Sequence, residues 1–194
     1  GVAHELAELG LNLVQVSEEQ GGLGGDAFDA MVVGEALGAG LVLEPVIDVM
    51  TAVSALAAGA AAILEDANSH TLGVYERGQR FSLTPAHTTV SGGKLTGTKT
   101  LTPNPAGATH ALISASEGGT VGLYRVALGD EGASVFNYPL QDGRPFADLQ
   151  FDGVAAEKVA GVGLAEIEAA IARQTITECA VAVGAMQAAL DMTK

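Results

Sequence analysis

Short runs of β-forming residues dominate the middle of this chain, between about residues 71 and 160, with Gly, Pro, Asn and Asp between them. "RFSLT" and "HALISA" are two examples. Two glycine pairs, Gly92-Gly93 and Gly118-Gly119, separate neighbouring runs and predict tight hairpin turns. No helical segment alternates with the runs, whereas a parallel sheet needs crossover connections, usually helical. The pattern therefore predicts a small antiparallel β-barrel or sandwich.

Helical patterns lie on both sides of this β region, which indicates an α+β multidomain protein. We predict an N-terminal all-α domain at residues 1–70, a β domain at 71–160, and the first helix of a C-terminal helical bundle at 161–194. One N-terminal helix is predicted to begin after Asp26, a favourable N-cap residue, and to end at Gly38.

The last helix is predicted to be buried on every side, because only Gln187 is polar between Cys179 and Leu190. The helices that would cover it are not in this sequence. The sequence also begins without Met and stops inside a helical pattern that has no C-cap glycine or proline. We therefore expect a piece of a longer protein, truncated at both ends.

Acidic residues outnumber basic ones by 23 to 9, which gives a formal net charge of −14. Such a surface repels nucleic-acid phosphates and anionic membranes, so neither is an expected partner. The single cysteine, Cys179, precludes an intrachain disulfide, and no signal peptide or long apolar run is present. We therefore expect a cytoplasmic protein. The histidines lack metal-ligand spacing, so no metal site is predicted.

The segment "SEEQGGLGGD" at residues 17–26 contains Gly22-x-Gly24-x-x-Ala27, one form of the dinucleotide-binding fingerprint. Such a loop must follow a strand directly within a βαβ unit, and here "SEEQ" separates the preceding apolar run from the glycines. Asp26 would also place a negative charge at the helix N-terminus that should receive the phosphate. A tight turn with close backbone packing is the favoured interpretation, and phosphate binding is the alternative.

One carboxylate, Glu178, lies in the largely apolar last helix, one turn after Gln174 and Thr175. Carboxylates are rarely buried unless they are paired, which favours an ion pair across a helical bundle. The alternative is a position that faces a substrate cavity, and the same two interpretations apply to Gln174 and Thr175.

Five segments carry a resemblance to a known family. They are "LAELGLNLVQVSEEQGGLGGD", "GEALG", "LTGTKTLTPNPAGATHALISA", "LQFDGVAAEKVAG" and "VAVGAMQAALDMTK". In this order they resemble conserved patterns of the acyl-CoA dehydrogenase superfamily of flavoproteins, and the first is the strongest match. The similarity spans the whole chain. It implies helices, then a small β domain, then a helical bundle.

The resemblance implies an FAD-dependent α,β-desaturation of an acyl-CoA thioester, in fatty acid or steroid side-chain metabolism. In the family a carboxylate removes the α-proton while the β-hydrogen leaves as hydride to the flavin. The resemblance also implies an electron-transfer flavoprotein as the electron acceptor. It further implies a homo- or hetero-oligomer in which a neighbouring subunit commonly completes the FAD site.

The flavin contacts implied by the resemblance come from a hairpin that contains Leu101, Thr102, Pro103 and Asn104. Leu101 stands where the family has an aromatic residue. Pro103, which has no N–H, stands where the family has a hydrogen-bonding Thr. The family's "T-E-P-x-x-G-S-D" segment, another flavin contact, has no counterpart here.

Substrate contacts are expected from Gln174, Thr175 and Glu178. Some family members place the catalytic Glu at the position of Gln174, whose amide cannot act as a base, and the family's neighbouring Arg aligns with Thr175. The commoner catalytic Glu falls beyond Lys194. The catalytic base of this protein is therefore unknown.

Two hypotheses follow from these matches and departures. In the first, the chain is part of a divergent bacterial acyl-CoA dehydrogenase. In the second, it is a catalytically degenerate, flavin-poor subunit that acts as a structural partner in a heteromeric acyl-CoA dehydrogenase. The altered hairpin favours the second, and the intact glycine loop and helix matches fit either. An unrelated binding module made of helices and a β domain is a distant third.

Overall fold

The computed structural model describes residues 9–58, 69–103 and 108–194. In these ranges the α-helices are α1 (Ala27–Ala39), α2 (Val46–Ala57) and α3 (Leu164–Asp191), and single-turn 3₁₀ helices lie at Leu11–Leu13 and Glu18–Gln20. The described helices include none that is long and apolar enough to cross a membrane.

Eight β-strands form one mostly antiparallel sheet. They are β1 (His70–Gly73), β2 (Thr89–Ser91), β3 (Lys94–Pro103), β4 (His110–Glu117), β5 (Thr120–Ala127), β6 (Ala133–Pro139), β7 (Pro145–Ala155) and β8 (Glu157–Lys158). The strand order is β6-β7-β3-β2-β4-β5-β8, and β1 pairs with β4 in parallel. The predicted α+β class is confirmed. The barrel or sandwich geometry and the domain boundaries at 1–70, 71–160 and 161–194 stay predictions.

Both predicted glycine turns are confirmed. Gly92 and Gly93 join β2 to β3, Gly118 and Gly119 join β4 to β5, and all four have positive φ, between 56° and 84°. The prediction of a strand at "RFSLT" is wrong. Arg80 and the exposed Phe81 have positive φ, so this segment bends through turns instead of extending.

The glycine loop is the predicted tight turn. The backbone N–H groups of residues 22 to 25 all donate to backbone carbonyl oxygens of residues 13 to 17, at N···O distances of 2.7–3.1 Å. At Gly25, an added Cβ would lie 2.8 Å from the carbonyl oxygen of Val14. Because these N–H groups already have acceptors, the loop cannot cradle a phosphate with them.

Helix α1 begins where the sequence predicts, because the Asp26 carboxylate accepts the N–H groups of Phe28 and Asp29. Its predicted end is wrong, since the helix runs through Gly38 to Ala39. Gly38 is buried because the backbone of α3 crosses it at Val181. This glycine therefore serves close helix packing, not helix termination.

Glycines on both helices form the contact between α1 and α3. At Gly34 an added Cβ would lie 2.7 Å from the carbonyl oxygen of Thr177, and at Gly184 it would overlap the carbonyl group of Glu35. The last helix is not buried on every side in this chain. Val183, Met186 and Leu190 are exposed on α3, and the burial of this helix by further helices stays a prediction.

Strand β4 is buried on both faces and divides two clusters of apolar side chains. Leu112 packs with residues of α2, β1, β5 and α3, including Leu56 and Ile167. Ala111 and Ile113 point the other way, into a cluster built from β2, β3, β5 and β7. The alternation follows the period of two along a strand, and it fixes the helices against one face of the sheet.

A buried ion pair connects β3 to the segment after β1. Lys99 Nζ lies 3.1 Å from Glu76 Oε1, and the two side chains are 0% and 3% exposed. Burial opposes ionisation of Glu76, but the N–H groups of residues 86–88 and Lys99 outweigh it and lower its pKa to about 2. Lys99 Nζ also reaches Ser114 Oγ at 3.1 Å, which ties β4 into the same network.

Candidate functional site

A cleft of about 280 Å³ opens where α2, α3, the end of β3 and the start of β7 meet. We call it the central cleft. The end of β3 contributes Leu101 and Pro103, and α3 contributes Gln174, Thr175 and Glu178. The first group was predicted as flavin contacts and the second as substrate contacts. The two groups lie about 70 positions apart in sequence but line one cavity.

Leu101 sits on a β-bulge. The register between β3 and β7 shifts between Lys99 and Thr102, and Leu101 has a φ of 50°, which is rare for a residue with a side chain. Its N–H donates to the hydroxyl of Tyr138 at 3.2 Å, and that hydroxyl donates to Asp148 at 3.0 Å. The bulge turns the half-exposed Leu101 side chain toward the central cleft.

The other hairpin residues differ in their placement. The Pro103 ring lines the cleft, and its carbonyl oxygen accepts a hydrogen bond from the hydroxyl of Thr71. Thr102 is 1% exposed and does not line the cleft, and its hydroxyl has no partner among the described residues. Asn104 lies outside the described residues. The roles predicted for these residues stay predictions.

The three residues predicted on α3 have distinct partners. The Gln174 amide donates from Nε2 to Asp48 Oδ1 at 3.0 Å. The exposed Thr175 donates its hydroxyl to the backbone of its own helix, at Ile171. Glu178 pairs at 3.4 Å with Arg144, in the turn before β7 and not on a neighbouring helix, and it also lines the cleft. Its predicted contact with substrate stays a prediction.

Asp48, in the first turn of α2, is a cleft residue that the sequence interpretation missed. It is 8% exposed. Burial, assisted by the negative charge of Glu178, raises its pKa to about 6, although Arg144 and the hydrogen bond from Gln174 oppose the shift. The sequence does contain a signal, because Asp48 is a single carboxylate inside the apolar run "VIDVMTAV". Carboxylates are rarely buried in a helix unless they are paired.

Arg144 is a second missed residue, in the turn before β7. Its guanidinium contacts Asp142 at 2.7 Å and Glu178 at 3.4 Å, and it lies over the ring of Phe146 at 5.9 Å. Arg144 is one of only nine basic residues in the chain. Its positive charge offsets part of the negative charge of the carboxylates at the cleft. With Asp48 nearby, three carboxylates surround this single cation.

The stability of the protein is expected to depend on pH through Asp48. The folded state holds this proton more tightly than the unfolded chain does, because the pKa rises from 3.8 to about 6. Stability is then lost as the pH rises through this window, by about 3 kcal/mol in total. Asp48→Asn should remove this loss. Urea unfolding at both ends of the window would measure it, and a variant whose stability follows the same pH profile as the parent would contradict the expectation.

The central cleft fits the apolar face of a flavin ring better than its hydrogen-bonding edge. Leu101, Pro103, Tyr75 and Phe146 offer apolar surface. The hairpin donors are engaged elsewhere, since the N–H of Leu101 donates to Tyr138 and Pro103 has none. If a flavin is bound, residues 101–103 can pack against its ring, and its polar edge needs donors from other segments.

Residues 1–69 match the family model for the acyl-CoA dehydrogenase N-terminal domain. No curated protein sequence matches the chain at a significant level. Among solved structures, a variant of the Tcur3481–Tcur3483 steroid ACAD is 26% identical with a TM-score of 0.83, and the match covers 98% of this chain and 55% of that one.

Two further structures share the fold. The ChsE4–ChsE5 complex from Mycobacterium tuberculosis is 21% identical, with a TM-score of 0.80 and coverage of 98% of this chain and 55% of that one. The FAD complex of PigA is 20% identical, with a TM-score of 0.83 and coverage of 98% and 58%. The chain therefore spans little more than half the length of the solved structures that it matches.

The fold and the cleft together define an α+β protein with the architecture of acyl-CoA dehydrogenases. The match of residues 1–69 to the N-terminal family model and the shared fold both support the superfamily predicted from the sequence motifs.

Proposed function

We propose that this chain forms one part of an FAD-dependent acyl-CoA dehydrogenase that desaturates an acyl-CoA thioester between its α and β carbons. The observation that carries the proposal is the central cleft. It unites the hairpin residues Leu101 and Pro103 with Gln174, Thr175 and Glu178, although each group was predicted separately and from a different motif.

The chain's own residues would bind and orient the acyl group. The apolar surface of Leu101, Pro103 and Phe146 would exclude water from one side of it, and α3 would form the other side. A bound flavin would supply the acceptor for the hydride. The resemblance places the family's usual carboxylate base beyond Lys194, so the proposal takes the base from outside residues 1–194. A fatty acyl or steroid side-chain thioester and an electron-transfer flavoprotein are the proposed reaction partners.

The second candidate is a flavin-poor subunit of a heteromeric acyl-CoA dehydrogenase. A specific observation favours it. The N–H of Leu101 donates to Tyr138, Pro103 has no N–H, and the unpartnered hydroxyl of Thr102 is buried and does not line the cleft. The matching ChsE4–ChsE5 structure is a complex of two different proteins, so a chain of this fold occurs in a heteromeric assembly. In this case FAD would be held mainly by the partner, or absent from this chain.

Spectroscopy separates the two candidates. The full-length protein is purified alone, its visible absorbance is recorded, and acyl-CoA thioesters are added without an electron acceptor. We expect a flavin spectrum that bleaches as the flavin accepts the hydride. A colourless protein that acquires flavin only when a homologous chain is co-expressed would overturn the first candidate and support the second.

A further inference from the structure

Asp48 has hydrogen-bonding capacity that the described residues 9–58, 69–103 and 108–194 do not fill. An ionised carboxylate accepts about four hydrogen bonds. Among the residues that the structure describes, Asp48 accepts one, from Gln174 at 3.0 Å, although only 8% of the residue is exposed. A carboxylate so far removed from water is normally paired or hydrogen-bonded, because desolvation otherwise opposes its charge.

The nearby cation does not fill this capacity. Arg144 makes its ion pairs with Asp142 and Glu178, and within the described part of the chain it forms none with Asp48. Its remaining influence on Asp48 is electrostatic, and the negative charge of Glu178 opposes it. Because Asp48 lines the cleft, a ligand bound there can supply a further partner.

A second cleft, of about 170 Å³, borders the central cleft through wall residues that the two share. We call it the side cleft. Its walls are mostly apolar and come from the end of α1, the α1–α2 connection and α3, with Leu37 and Val181 among them. Asp48, Arg144 and Glu178 line both clefts. An apolar group that extends from the central cleft into the side cleft would therefore pass Asp48.

We propose that Asp48 selects an acyl group that carries a hydroxyl, which donates a hydrogen bond to the Asp48 carboxylate where the two clefts meet. The acyl-CoA class of this ligand rests on the proposed function. An unsubstituted hydrocarbon would add no hydrogen bond to the one that the Asp48 carboxylate accepts from Gln174. An acyl group that ends in a carboxylate would be repelled by Asp48 and Glu178. A methyl ether has the size of a hydroxyl group plus one carbon, but it cannot donate.

Calorimetric titration of the full-length protein, without an electron acceptor, tests the proposal. The probes are ω-hydroxyacyl-CoAs of increasing chain length, each paired with its ω-methyl ether and with the unsubstituted acyl-CoA. At one or more lengths the hydroxyl compound should bind roughly tenfold more tightly than either analogue, as expected for a hydrogen bond to a charged group. No preference at any length, or no binding by any probe, would overturn the proposal.

Two variants locate the effect. Asp48→Asn should reduce the preference for the hydroxyl over the ether to roughly threefold or less, because an amide can donate to the ether oxygen. Asp191→Asn is the matched control, since it removes the same charge from a residue that lines neither cleft and pairs with Lys194, and it should keep the preference. A preference that survives in Asp48→Asn would overturn the assignment to Asp48.

The same protein distinguishes a failure of this inference from a failure of the proposed function. A colourless protein that still prefers the hydroxyl ligand would retain the role of Asp48 and reject the dehydrogenase proposal for this chain. A flavin-bound protein that bleaches with acyl-CoA but shows no preference for the hydroxyl ligand would support the dehydrogenase proposal and reject the role of Asp48.

Discussion

Glu76→Ala is expected to lower the free energy of unfolding by about 3–5 kcal/mol, because it leaves Lys99 buried without its counter-charge. The Lys99 side chain is 0% exposed, and burial already lowers its pKa to about 8 against the opposing effect of Glu76. The same substitution removes the acceptor for the backbone N–H groups of residues 86–88. Both losses affect β3, which contains Lys99 and whose end lines the central cleft, and the segment just before β2.

Urea unfolding of the full-length protein measures this effect. Glu117→Ala is the matched control, since Glu117 also pairs with a lysine, Lys158, but both side chains are largely exposed. Little change is expected there. The double variant Glu76→Gln with Lys99→Met should lose less stability than Glu76→Ala, because no buried charge remains. A loss in Glu76→Ala no larger than in the control would contradict the role of the buried pair.

Gly184→Ala is expected to destabilise the protein by about 1–3 kcal/mol, although alanine favours a helix over glycine by about 1 kcal/mol. The steric effect outweighs the helical preference because the new methyl group would overlap the carbonyl group of Glu35 on α1. The two helix backbones would have to separate. The Cα of Gly34 faces Thr177 in the same contact, so the separation would extend along the interface.

Thermal or urea unfolding tests this prediction, with Gly129→Ala as the control. Gly129 lies in a turn, and an added Cβ there would meet no atom within 4 Å. It should leave stability nearly unchanged, within about 0.5 kcal/mol. A Gly184→Ala variant as stable as the parent, or more stable, would contradict the prediction. It would mean that the helix preference of alanine outweighs the steric overlap between α1 and α3.

Local sequence patterns predicted the parts of the fold that depend on local chemistry. Asp26 begins α1 because its carboxylate accepts the first free N–H groups of the helix, and this signal needs no tertiary information. The glycine pairs between strands were equally readable, since a two-residue hairpin requires positive φ. "RFSLT" failed because β-forming residues alone do not decide a strand, and no neighbouring strand pairs with this segment in the described chain.

The site was only partly predictable. Leu101, Pro103, Gln174 and Thr175 were matched to family positions, and Glu178 was named because it lies in a largely apolar helix. The structure brings all five to the central cleft. Thr102 was named with them but lies inside the sheet. A β-bulge shifts the alternation of side chains along a strand, and the sequence does not show where the bulge lies. The register of β3 on β7 was therefore needed to decide which hairpin side chains face the cleft.

The sequence by itself determined the α+β class, the cap of α1 and the tight turns, because each depends on residue type at short spacing. It also carried the resemblance to the superfamily. The tertiary structure decided what the glycines and the charged residues do. Gly38 and Gly184 serve helix contact, and Asp48 meets Gln174 from a helix more than a hundred residues away. Contacts of such sequence separation depend on how elements pack, and no local pattern of residues records them.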